Sequence, residues 1–202
     1  MRHKDRVSDL LSIWTAWGLS LILVWIAIAL YLGQSLFHLQ HSRDLVAFGA
    51  IKGETFGARE AWRLLASQWL HVKFPHMLFN ALIIAGVGIY AERMTSRFTA
   101  LMITLLGGTL GQYLTVLTEP QAFISGASQA YFALCGLGLV FIDLRAVRWW
   151  LAVIGIIVGF GLDLFVSDHG ALKIGHTVPV VFGLLAGLAS KLTRRLMMRP
   201  GL

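Results

Sequence analysis

Ser125-Gly126-Ala127-Ser128-Gln129-Ala130-Tyr131-Phe132 opens an apolar run that ends at Asp143. From Ser128 the run is only about 15 residues long. At about 1.5 Å per residue it covers about 22 Å of a bilayer core about 30 Å thick. If this run is a membrane span, its first residue lies below the membrane surface. Residues 119–127 then descend to it as non-helical backbone. Such backbone is tolerated at depth only where protein or a water-filled cavity surrounds it. Ser128 is therefore expected at the floor of a wet pocket.

The rest of the chain supports the membrane reading. Of its 202 residues 57% are hydrophobic and 13% charged, about half the charge of an average soluble domain. The apolar runs predict six spans, at about 10–33, 77–92, 98–118, 128–142, 149–167 and 174–190. None has a charge at its centre, and Asp143 and Asp163 fall near span ends. The expected fold class is an all-α polytopic membrane protein. A single membrane domain, 1–202, accounts for nearly everything, with a core at about 45–190 and tails at 1–9 and 191–202. The first run is too long for the apolar region of a signal peptide and is kept as a span.

The net charge of +7 is a matter of orientation. Arg2, Lys4, Arg6, Arg93, Arg97, Arg145, Arg148, Lys191, Arg194, Arg195 and Arg199 fall on one side of the six spans. Short basic loops face the cytoplasm, so both termini are expected inside and the 34–75 loop outside. The basic side also attracts the anionic lipid of a bilayer, and nucleic acid is not an expected partner. A bacterial inner membrane suits the pattern. Cys135 is the only cysteine, so there is no disulfide framework. No His-Glu-x-x-His motif occurs, and no metal or organic cofactor is implied.

His176 opens the sixth span from the same face as Ser128 opens the fourth. A serine hydroxyl becomes a useful nucleophile only when a base takes its proton, and neutral imidazole is such a base. Each residue alone has an ordinary reading, Ser128 as a helix N-cap and His176 as a buried histidine. Their matched depth favours the pair. His76 and Asn80, four apart, share one face of the second span. Together with the Ser128 N–H they are candidate donors to an oxyanion. His71 either hydrogen-bonds the loop or shapes the cavity. Phe132 has the spacing to orient the imidazole, with Tyr131 beside it; an ordinary core role suits both as well. No Asp or Glu is read as completing a triad, so a Ser128–His176 dyad is expected.

This constellation resembles the rhomboid family of intramembrane serine proteases. Trp62-Arg63 is similar to that family's first-loop motif, and His71-x4-His76-x3-Asn80 to its second-helix motif. Glu92 falls where the family often has a glutamate. Gly126-Ala127-Ser128 matches the first three positions of its Gly-x-Ser-Gly motif; Gly136, His176 and Gly183 fit the later pattern. The resemblance implies a six-helix bundle, a Ser–His dyad and cleavage of single-pass transmembrane proteins near the outer face. Two positions depart from it: Gln129 and Pro179 stand where glycines are usual. Two bulkier residues are expected to relax the contact between the fourth and sixth spans. The alternative function is a catalytically silent relative that binds transmembrane helices as a chaperone or adaptor. Substrate identity and oligomeric state are not legible.

Overall fold

The computed structural model describes residues 12–166 and 170–197. Arg2, Lys4, Arg6, Arg199 and the first residues of the first expected span lie outside them. The main helices are α1 (Ile13–Tyr31), α2 (Phe74–Met94), α3 (Arg97–Thr118), α4 (Ser128–Leu139), α5 (Val147–Phe165) and α6 (Ile174–Met197). All except α4 are long and apolar enough to cross a membrane. The fourth expected span is a helix of 12 residues, shorter still than its sequence suggested. α6 runs on through residues 191–197, which the sequence reading assigned to a tail.

Local chemistry starts these helices. The Ser12 side chain accepts from Thr15 N–H at 3.2 Å to cap α1, and Ser96 does the same for Thr99 at 3.1 Å to cap α3. Pro75 sits in the first turn of α2, where its missing N–H has no helical partner to lose. Large apolar side chains such as Leu23, Phe98, Ile157 and Leu185 remain exposed on the outer faces. In water such faces would be an aggregation hazard; against lipid they are solvated.

α4 is the hub. Every residue from Ser128 to Gly138 is buried, as expected of a helix apolar on all sides. Its far end is held by other helices: Lys191 Nζ donates to Val140 O at 3.0 Å and Tyr90 Oη to Phe141 O. The approach of α6 is set by glycine. A Cβ on Gly183 would lie 1.9 Å from Ala133 O, and one on Gly136 would lie 2.3 Å from Val180 O. Helix α4 and helix α6 are thus in backbone contact, and Gln129 and Pro179 have not relaxed it. Gln129 instead leans over α3, where a Cβ on Gly111 would meet its Cβ and Cγ at 2.7 Å. Pro179 lies past the first turn of α6. It therefore removes a true helical bond, leaving Gly175 O without its i+4 donor.

The long first loop is a folded layer. It carries one helical turn (Arg63–Ala66) and a two-residue strand β1 (Ile51–Lys52), which pairs antiparallel with β2 (Phe123–Ile124). The all-α expectation missed this short ladder. Two residues per strand carry no readable alternation. Its consequence is direct, because β2 leads into the Ser128 segment.

Candidate active site

The backbone before Ser128 is clamped on both sides. Gly126 has φ +117°, a left-handed conformation that glycine tolerates and L side chains resist. Its N–H donates to Ser67 O at 2.9 Å, and its carbonyl accepts from Gln112 Nε2 at 3.0 Å. Three groups converge on its Cα: an added Cβ would lie 3.8 Å from His76 Cε1, 3.9 Å from His71 Cδ2 and 3.9 Å from Ser128 Oγ. The chain then enters α4 at Ser128. The first N–H groups of a helix have no partner within it, so the Ser128 N–H is left without one inside α4.

Ser128 Oγ lies 2.9 Å from His176 Nε2. Phe132, one turn further along α4, lies against the imidazole with ring centroids 4.6 Å apart. Phe132 in turn stacks on Tyr131 and Phe160. Phe132 thus packs on the histidine, and both rings are buried.

The other nitrogen departs from the sequence reading. His176 Nδ1 is 2.8 Å from Asp163 Oδ2, and Asp163 is 2% exposed. The expectation that no carboxylate reaches the pair is wrong. The signal was available: alternation of spans puts the end of the fifth and the start of the sixth at one face, so Asp163 shares the depth of Ser128 and His176. A charge near a span end reads as solvated from the sequence, and here it is buried.

Ser128 borders two cavities. The larger, about 480 Å³, lies between α2 and α5; His76, Phe79, Tyr131, Gly159 and Asp163 are on its wall. The smaller, about 140 Å³, is bordered by residues 122–125 and by His76, Gln129, Lys173 and His176. His76 thus faces the serine from across both spaces. Asn80 does not line either cavity. Its Nδ2 donates to His71 Nε2 at 2.8 Å. That same nitrogen accepts from Ala127 N–H at 3.2 Å, so the His71 proton resides on Nδ1. Burial, reinforced by the nearby His76, pushes the His71 imidazole down to about 3. His71 is therefore a neutral acceptor holding the peptide just before the serine.

Trp62 and Arg63 are away from the serine. Arg63 Nη1 donates to Val46 O at 2.6 Å and Ala50 O at 3.1 Å, and its guanidinium sits 4.6 Å from the Trp62 ring. Arg63 also pairs with Glu60. These contacts staple the first loop. Glu92 accepts from Trp14 Nε1 at 2.8 Å and Arg97 Nε at 3.0 Å, tying α1 to the α2–α3 turn. Gln129 was expected to matter through its bulk. Its Oε1 lies 3.1 Å from Ser128 Oγ, a second acceptor for the hydroxyl. Among the described residues no three His, Cys, Asp or Glu side chains gather as metal ligands would.

The Rhomboid domain family matches residues 58–195, a span that includes His71, His76, Asn80, Ser128, Asp163 and His176. The chain belongs to the rhomboid family. It is 32% identical over 155 residues to Rhomboid protease GluP of Bacillus subtilis, covering 74% of this chain and 30% of that protein. It is 36% identical over 87 residues to Putative rhomboid protease YdcA of the same organism, covering 43% and 44%. A third relative, Inactive RHOMBOID-like protein 8 of Arabidopsis thaliana, is 32% identical over 77 residues, covering 38% and 22%. The chain thus spans less than half the length of these relatives. Rhomboids are intramembrane serine proteases, and the apolar helices make this rhomboid an integral membrane protein.

Proposed function

We propose that this chain is an active intramembrane serine endopeptidase that cleaves single-pass transmembrane proteins. The observation that carries the reading is the 2.9 Å contact between Ser128 Oγ and His176 Nε2 at the wall of a cavity framed by membrane-length helices. In the reaction, Nε2 takes the hydroxyl proton as Oγ attacks the scissile carbonyl carbon. The oxyanion forms beside the free Ser128 N–H at the start of α4, with the His76 ring as second donor. The imidazolium then gives its proton to the leaving amine, and water hydrolyses the acyl-enzyme by the same route. His71 and Asn80 hold the peptide before the nucleophile.

The chain is read as one membrane domain of six spans with both termini in the cytoplasm. α4 is the fourth span, short because its start is sunk below the outer surface. The active site opens to the outer face of a bacterial inner membrane.

One observation favours the silent alternative: Gln129 Oε1 competes for the single Ser128 proton. A fluorophosphonate probe separates the readings, since it reacts with an activated serine and needs no known substrate. Wild-type protein in detergent is expected to label. Ser128→Ala and His176→Ala are expected to lose labelling and cleavage of a model transmembrane substrate while remaining folded. Failure of the wild type to label would favour the silent protein.

A further inference from the structure

Among the described residues Asp163 is the only acidic one that is buried. It stands two residues from the end of α5, in Gly161-Leu162-Asp163-Leu164-Phe165, a helix whose only other charge is Arg148 in its first turn. A buried carboxylate is costly unless its partners replace water. Here one oxygen, Oδ2, accepts from two donors: the Lys173 backbone N–H at 3.2 Å and His176 Nδ1 at 2.8 Å.

We propose that Asp163 is the positioning residue of a Ser128–His176–Asp163 triad. Helices α4, α5 and α6 each contribute one member. This rests on the reading of Ser128 as nucleophile, and it replaces the expected dyad.

The argument begins with the tautomer. Neutral imidazole has one N–H and one lone pair. A backbone N–H can only donate, so Oδ2 is an acceptor toward Lys173. The same oxygen faces Nδ1, and the imidazole proton therefore sits on Nδ1. Nε2 is left with its lone pair directed at Ser128 Oγ, 2.9 Å away, and that is the form a general base requires. The opposite tautomer would present its N–H to the hydroxyl and abstract nothing.

The second contribution comes during reaction. The proton moves from Oγ to Nε2 as the Oγ–carbon bond forms, and the ring becomes a cation carrying both N–H groups. The carboxylate compensates that charge at hydrogen-bond distance and takes no proton itself. Nε2 then passes the proton to the departing amine. The gain arises in the transition state and not in substrate binding, because the charge that Asp163 compensates exists only once His176 has taken the proton.

A purely structural reading competes with this one: Asp163 as a cap for the turn that starts α6. Asp163→Asn divides the two. The amide keeps an oxygen for Lys173 N–H and nearly the same volume, but it carries no charge. For purified protein in detergent cleaving a model transmembrane substrate, kcat is expected to fall by about 10²–10⁴. KM should stay within about twofold and the unfolding temperature should be unchanged. Asp163→Glu restores the carboxylate and should regain at least about tenfold in kcat over Asn. A kcat for the Asn variant within about threefold of wild type, or a Glu variant no better than Asn, overturns the proposal. Should the Asn variant not fold, Asp163→Ser takes its place, since its hydroxyl can also accept from Lys173, and the same outcomes apply. Ser128→Ala run alongside keeps two failures apart. Cleavage by Ser128→Ala sinks the nucleophile assignment itself. An inactive Ser128→Ala beside a normal Asp163→Asn sinks only the triad.

Discussion

Gly183→Ala tests the central feature of the fold, the backbone contact between α4 and α6. The added Cβ would sit 1.9 Å from Ala133 O and 2.9 Å from Leu137 N. Ordinary contact begins near 3.4 Å, so α6 must retreat by about 1.5 Å at that point. Neither neighbouring atom can rotate away, because both belong to the backbone of α4. Overpacking of this kind costs about 1–3 kcal/mol. His176 lies seven residues earlier on α6, about 10 Å along the axis and within about 20° of the same face. A retreat of even 1 Å there would take Oγ···Nε2 from 2.9 Å beyond hydrogen-bond range, and misplacement by about 1 Å costs about 10²-fold in rate. Fluorophosphonate labelling and thermal unfolding in detergent measure the two effects separately. Gly161→Ala is the control, since a Cβ there meets nothing within 4 Å; it should be neutral. If Gly183→Ala labels at the wild-type rate with unchanged stability, helix contact does not set the spacing of the site.

Gln129→Met keeps the volume over Gly111 and removes the competing acceptor, so labelling should rise by about twofold, as one hydroxyl proton is no longer shared; a tenfold fall would instead mean that the amide assists the reaction. His71 predicts a pH dependence of stability. Its imidazole is held at about 3 in the fold against 6.5 when free, so below pH 6.5 the unfolded chain binds a proton that the folded chain refuses. The stability due to this residue is complete above pH 6.5 and is lost as pH falls toward 3, at about 1.4 kcal/mol per unit. His71→Gln should show a shallower loss of thermal stability between pH 6.5 and 4, and equal slopes would refute the neutral-acceptor role.

The sequence pointed to the serine and histidine through their matched depth, supported by His76 and Asn80 on a third span. Two residues that open spans from one face are level, and the packing of α4 on α6 brings them to 2.9 Å. The same argument applied to Asp163, but a charge near a span end reads as solvated when only the chain is known. Asn80 shows a different limit. Helical spacing put it on the face of His76, yet spacing says nothing of which neighbour takes its amide, and here His71 does. His71 left two readings open, and the Ala127 N–H decided for the one that ties down the loop. Trp62 and Arg63 were legible as a motif and not as a staple, since their partners, Val46 and Ala50, are loop carbonyls without a sequence signature.

By itself the sequence determined the environment and the order of the elements. Apolar run length and charge placement answer to the bilayer, a solvent whose thickness is known in advance, so each span can be read locally. Tertiary structure alone decided which polar groups pair. A buried hydroxyl, imidazole or carboxylate must find its partner within about 3 Å, and at this site the partners lie on different helices. Gly183, Gly136 and Gly111 set how near those helices come. That closeness is a sum over whole helix faces, which no single residue announces.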